Sequence, residues 1–319
     1  KRILFLLSIF VLIPVCLYLA LDRENVDINE FRLNSGYEEV KLSDGVTSYK
    51  DTGDKNNKVI VLVHGATFGS LAYEEYVDVF TENGYRVITY DQYGRGYSDR
   101  IHNDVSIELM EKQLKELIDY CEVKDVILYG VSFGAAVVAK YTANNPENVN
   151  FVGYQVPLIN SANIPLLSIV KIPLYGDLLT RGFLVPGVLK RIEEYEDLMS
   201  KKLLDHYIGQ FNVKGTEKFY KKFFLGNATG NRIEDHSIIG NMSIPSYFAY
   251  AEDDIEIDSK LVKEAIKLYQ NPVVKKYSGG HFFSSGIERE VAQEFIDSIK
   301  WHIRLMSFIP VRSNCGFSY

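Results

Sequence analysis

Apolar positions in this chain follow two periods. Short continuous runs come first. Val59 to Val63 is an unbroken apolar stretch, and Val87-Ile88-Thr89-Tyr90 and Val126-Ile127-Leu128-Tyr129 repeat its character. Runs of this length, rich in β-branched and aromatic residues, suit strands buried on both faces. Between them the spacing becomes helical. Met110, Leu114, Leu117, Ile118 and Cys121 fall on one helix face, which makes Cys121 a packing residue. A second helix is expected from Gly134 to about Asn144, ending before Pro146.

Either side of this pattern are weaker signals. Val40–Leu42 and Val46–Tyr49 flank Ser43-Asp44-Gly45, a hairpin signature. Pro245–Tyr250 and Val273–Tyr277 read as later strands, and Ile287–Ile303 as a closing helix. Strands alternating with helices predict an α/β fold with a parallel sheet covered on both sides. The alternation breaks between 161 and 232. That block is Leu- and Pro-rich at first, then helical and charged, and reads as an insertion between two parts of one core. The expected organisation is 1–21, an apolar segment; 22–36, a polar linker; 37–160 and 233–308, the core; 161–232, a cap; and 309–319, a tail.

Ile3 to Leu21 is apolar apart from Ser8 and Pro14, and follows Lys1 and Arg2. As a helix it would be about 28 Å long, near the hydrocarbon thickness of a bilayer. The expectation is a transmembrane signal-anchor, with the catalytic domain outside the cytoplasm by the positive-inside rule. The alternative is a cleaved signal peptide and secretion, although Tyr18 is a poor residue at −3 from Ala20.

Composition narrows the function classes. A formal net charge of −7 lacks the basic footprint of a nucleic-acid binder. The three cysteines, Cys16, Cys121 and Cys315, form neither a disulfide framework nor a C-x-x-C pair, so no metal site is expected.

The strongest motif is Gly130-Val131-Ser132-Phe133-Gly134, set between a strand and a helix. A nucleophile on so sharp a turn needs neighbours without side chains, and the following helix aims free N–H groups at an oxyanion. Ser132 is therefore the candidate nucleophile. A serine hydroxyl needs a base, and His281, in Ser278-Gly279-Gly280-His281-Phe282 after a strand, is the best of six histidines. The acid should come from the carboxylate-rich segment Ala251–Asp258, between the two in the chain. Val63-His64-Gly65-Ala66 ends another strand. Main-chain N–H groups of Ala66 and Phe133 are the candidate oxyanion hole, with His64 bracing the loop.

These pieces, together with Asp91-Gln92-Tyr93-Gly94-Arg95-Gly96-Tyr97-Ser98, resemble the α/β-hydrolase superfamily, in particular its lid-bearing esterases and monoacylglycerol-lipase-like members, over about Tyr37 to Ile303. The resemblance implies the α/β-hydrolase fold with a helical cap. It puts Asp254 at the acid of the G-x-x-D turn, Ala251 standing where the family has Gly, with Asp253 as the runner-up. It implies acyl transfer through Ser132, with no cofactor. The expected substrate is a lipid-like ester such as a monoacylglycerol or lysophospholipid, and a small soluble ester is equally compatible with the site. Peptide or C–C bond hydrolysis by the same triad is an alternative, and so is a non-catalytic ligand-binding protein on this scaffold.

Overall fold

The computed structural model describes residues 2–160, 167–226 and 228–307. Eight strands form one sheet: β1 (Glu38–Lys41), β2 (Val46–Thr52), β3 (Val59–Val63), β4 (Arg86–Tyr90), β5 (Val126–Val131), β6 (Val149–Gln155), β7 (Ser246–Ala251) and β8 (Val273–Tyr277). Their order is β1-β2-β4-β3-β5-β6-β7-β8. β1 and β2 form the antiparallel hairpin, β2 pairs antiparallel with β4, and the rest are parallel. This is the α/β-hydrolase fold.

Period-two alternation divides the core between the two sheet faces. Val61, Val63, Ile88 and Leu128 pack on the face that carries the helices Ile107–Tyr120 and Phe133–Asn144. Ile60, Leu62, Val87, Ile127 and Tyr129 pack on the other, against Glu74–Glu82 and Glu288–Ser307. Cys121 is half-buried beside the first cluster.

Register brings the loops of interest together. Val63 lies opposite Gly130, so the segment after β3 runs beside the turn after β5. Val131 lies opposite Gln155, and Ala251 opposite Tyr277, which sets the acidic segment beside the glycine-histidine loop. All four loops leave the carboxyl ends of parallel strands, where open α/β sheets form their ligand crevice.

Between β6 and β7 the chain forms helices at Leu167–Val170, Tyr175–Leu179, Val185–Glu193, Lys201–Gly209, Thr216–Leu225 and Ile233–Asn241, with a π-helical turn at Thr180–Leu184. The start of the 161–232 block and the 309–319 tail lie outside the described residues.

The N-terminal expectation needs correction. The apolar run forms a helix, Arg2–Ala20, but among the described residues no helix is long and apolar enough to cross a membrane. It is engaged with the rest of the protein along its length. Tyr175 Oη donates to the Phe10 carbonyl at 2.7 Å and Arg181 Nη1 to the Tyr18 carbonyl at 2.7 Å. The Arg181 guanidinium also stacks 3.8 Å from the centre of the Tyr18 ring. The transmembrane and signal-anchor reading falls on this finding. The placement of the catalytic domain outside the cytoplasm rested on the anchor and falls with it.

Candidate active site

Ser132 sits on the turn between β5 and the helix Phe133–Asn144 with φ 53° and ψ −118°, a conformation non-glycine residues seldom adopt. Crowding explains the flanking glycines. A Cβ on Gly130 would lie 2.6 Å from the Gly134 carbonyl oxygen, and one on Gly134 only 2.1 Å from that of Val63. The turn is fastened by Ser132 N–H donating to the Gln155 carbonyl at 2.9 Å and by the Ser132 carbonyl accepting from Ala135 at 3.0 Å.

His281 reaches this serine from the loop after β8. Its Nε2 is 3.1 Å from Ser132 Oγ and its Nδ1 is 2.8 Å from Asp254 Oδ2. With Nδ1–H donating to the carboxylate, Nε2 is free to accept from the serine hydroxyl. Gly279 and Gly280, at φ 113° and 69°, give the loop the left-handed bend that presents the ring.

The two aspartates have separate partners. Asp254 faces His281, and its other oxygen accepts from Glu256 N–H at 2.8 Å and Ile257 N–H at 3.0 Å. Asp253 instead accepts from Gly279 N–H at 3.0 Å and Gly280 N–H at 3.1 Å. Burial opposes the Asp254 charge, but the His281 hydrogen bond and the two main-chain donors outweigh it and hold the carboxyl below its ordinary range. The Gly279 and Gly280 amides lower the Asp253 carboxyl too.

His64 is fully buried after β3. Its Nε2 accepts from Gln92 N–H at 2.8 Å, so the proton is on Nδ1, which donates to the Gly65 carbonyl at 2.7 Å. Burial pushes it down to about 4, keeping it neutral. A ring so engaged braces the loop and has no nitrogen left for proton transfer. Arg95 Nε donates to the Ala66 carbonyl at 2.8 Å. Ala66 lines the pocket at Ser132, while Phe133 opens the helix, with its ring buried 5.0 Å from that of Phe223. The first N–H groups of a helix have no intrahelical acceptor.

Ser132 and His281 open into a pocket of about 180 Å³. The helical block between β6 and β7 supplies Ile192, Tyr195, Met199, Leu203 and Tyr207 to its wall. Gln155, Tyr76 and Ser284 make one side polar. Gln155 Oε1 accepts from Tyr129 Oη at 2.6 Å and Tyr76 Oη at 2.9 Å, and its Nε2 donates to Ser284 Oγ at 3.0 Å. At the rim, Arg191 Nη2 pairs with Glu256 Oε1 at 2.5 Å, and Glu256 Oε2 lies 4.0 Å from His281 Nε2. A second depression, of about 850 Å³, opens at the opposite strand ends around Val59 and Val149.

The structure thus brings Ser132, His281 and Asp254 into one hydrogen-bonded run, with Ala66 and Phe133 flanking the serine. Sequence reasoning missed Gln155 and Arg191, and gave no separate role to Arg95 within the 91–98 motif or to Glu256 within the carboxylate-rich segment. Gln155 had a usable signal, as the polar end of the strand Val149–Gln155.

Comparison with known proteins agrees with this architecture. A family model described as "Serine aminopeptidase, S33" matches residues 54–172. A non-heme chloroperoxidase from Burkholderia pyrrocinia is 23% identical over 262 residues, covering 72% of this chain and 87% of that protein. A 2-hydroxy-6-oxononadienedioate/2-hydroxy-6-oxononatrienedioate hydrolase from Escherichia coli is 33% identical over 105 residues, 32% of this chain and 36% of that protein. Among solved structures, the enol-lactonase from Burkholderia xenovorans LB400 superposes with a TM-score of 0.69 at 12% identity, covering 82% of this chain and all of that one. The structural likeness shows the fold, and the sequence matches support a place in the α/β-hydrolase superfamily.

Proposed function

We propose that this α/β-hydrolase-fold chain is a serine hydrolase that cleaves carboxylic esters through an acyl-enzyme on Ser132. The observation that carries the reading is the Asp254–His281–Ser132 hydrogen-bond run, with Nε2 at 3.1 Å from the serine oxygen, opening into a pocket. Ser132 Oγ attacks the ester carbonyl and its proton passes to His281 Nε2. Asp254 fixes the ring's tautomer and stabilises the imidazolium. The Ala66 and Phe133 N–H groups hold the oxyanion, each such donor worth about 3 kcal/mol in the transition state. The C–O bond to the alcohol then breaks, and the alcohol leaves with the proton from Nε2. Water, deprotonated by the same nitrogen, releases the acid and restores the serine.

The helices between β6 and β7 act in this reading as the cap, within the limits 161–232. At about 180 Å³ the pocket favours a short acyl group over the long lipid chain expected from the sequence, since sites for larger ligands run to roughly 300–1,000 Å³. C–C bond hydrolysis is a second reading. The polar wall of Gln155, Tyr76 and Ser284 favours it, because it offers a place for a keto or carboxylate oxygen beside the nucleophile.

The test is hydrolysis of p-nitrophenyl esters from acetyl to palmitoyl, with Ser132→Ala alongside and fluorophosphonate labelling of the serine. Turnover and labelling that both vanish in the variant support the reading, and the preferred chain length sets the acyl class. A folded protein that neither turns over esters nor takes the label overturns it.

A further inference from the structure

Arg95 lies in the turn after β4, and its side chain is fully buried. Among the described residues it forms no ion pair with a carboxylate. Its partners are carbonyl oxygens and rings. Nε donates to Ala66 O at 2.8 Å and Nη1 to Tyr93 O at 3.2 Å. The guanidinium carbon lies 4.4 Å from the ring centre of Phe223, 4.9 Å from Phe219, 5.5 Å from Phe133 and 5.8 Å from Tyr220. Tyr220 acts on it electrostatically, but Nη2 and the Tyr220 hydroxyl are both buried without a well-formed hydrogen bond. Burial pushes Arg95 down to about 10, which leaves it charged at neutral pH.

A buried charge without a counter-ion destabilises a fold, and cation–π attraction offsets only part of that cost. Its position gives it a use. Arg95 touches Ala66 and Phe133, the two residues whose N–H groups the oxyanion reading requires. On its other side it meets the helix Thr216–Leu225. The approach of that helix is tight, since a Cβ on the neighbouring Gly94 would lie 2.2 Å from the Phe219 ring.

We propose that Arg95 is a positioning residue that holds the Ala66 carbonyl and the Phe133 ring in one frame, keeping both oxyanion donors aimed at the same point, and ties that frame to the helix Thr216–Leu225. This inference rests on the serine-hydrolase reading above. A residue acting only through alignment of transition-state donors affects turnover more than substrate binding. A residue acting only as a structural strut affects stability first.

The experiment compares wild type, Arg95→Met and Arg95→Lys for thermal midpoint, kcat and KM on the best ester, and affinity for an alkylboronic acid, which becomes a tetrahedral anion on the serine. Arg95→Met is expected to keep the wild-type midpoint or exceed it, because methionine fills the aromatic cage without a buried charge. Its kcat is expected to fall about tenfold with KM nearly unchanged, the loss from loosening an oxyanion donor without deleting it. Boronate affinity should fall in parallel, and Arg95→Lys, which retains a charged donor, should recover part of both. An Arg95→Met protein that fails to fold, or loses its midpoint along with its rate, makes Arg95 a strut and overturns the proposal. So do unchanged kcat and boronate affinity. A wild-type protein that neither hydrolyses esters nor takes a fluorophosphonate sinks the hydrolase reading itself, and this inference with it.

Discussion

Asp253 and Asp254 are adjacent in the chain, yet one carboxylate binds the His281 ring at 2.8 Å while the other ties down the Gly279 and Gly280 amides that carry that ring. The backbone sends successive side chains in different directions, so one acidic turn both orients the base and shapes its loop. Asp254→Asn is expected to lower kcat by about 10⁴, because an amide can donate to Nδ1 and favour the wrong tautomer. Asp253→Asn should cost about fivefold or less, in line with weakening hydrogen bonds to a loop. Steady-state kinetics of the two variants check the division, and equal losses would contradict it.

Arg191 and Glu256 set up a competition at the base. Glu256 Oε2 is 4.0 Å from His281 Nε2, the nitrogen that Ser132 Oγ approaches at 3.1 Å. Arg191 holds the other Glu256 oxygen at 2.5 Å. Removing Arg191 leaves an uncompensated carboxylate free to trap the protonated ring. Glu256 is 37% exposed, which screens its pull on the buried His281 ring toward the water-like Coulomb energy of about 1 kcal/mol at 4 Å, equivalent to about fivefold. Arg191→Ala should therefore lose about fivefold in kcat/KM, and adding Glu256→Gln should restore it. Steady-state kinetics of the single and double variants read this directly.

Buried neutral histidines predict acid sensitivity of the fold. Burial lowers His64 to about 4 and His236 to about 3, from an ordinary value of 6.5. Both are depressed, so above pH 6.5 neither state binds the proton and stability is full. Below 6.5 the unfolded chain takes up protons that the native state refuses, and stability falls until the folded values are reached. Each histidine contributes a slope of about 1.4 kcal/mol per pH unit in that window. His236 Nδ1 is 2.6 Å from Tyr269 Oη, away from the candidate triad, and His236→Asn should flatten the slope by about one proton. Urea midpoints between pH 4 and 7 measure the effect.

Gly134→Ala tests the crowding at the nucleophile turn. Its added Cβ would fall 2.1 Å from the Val63 carbonyl oxygen, a main-chain atom at the centre of the sheet. Overpacking of this kind costs about 1–3 kcal/mol. Denaturant midpoints should drop accordingly, and activity should fall beyond the loss of folded protein, because Val63 leads into the oxyanion loop.

Which parts of this molecule the sequence determined follows from the range of the forces involved. Val59–Val63 and Val126–Val131 are apolar on both faces and became central strands, because no other placement keeps both faces dry. The turn at Ser132 was legible because its constraint is local steric crowding within five residues. His281 stood out by its glycines and its place after a strand.

Tertiary structure decided what depends on residues distant in the chain. Asp253 and Asp254 are chemically identical; the motif resemblance favoured Asp254, and the β7–β8 register that brings Ala251 opposite Tyr277 sets each beside its partner. Arg95 stands in the 91–98 motif with no role attached, until the Ala66 carbonyl and the rings of Phe133 and Phe223 close around it. Gln155 acquires meaning by lying opposite Val131. The N-terminal run carried strong hydropathy but no record of Tyr175 and Arg181, which meet it from more than 160 positions away. Local sterics and periodicity are written in neighbouring residues; partners are assigned by packing, which only the folded chain performs.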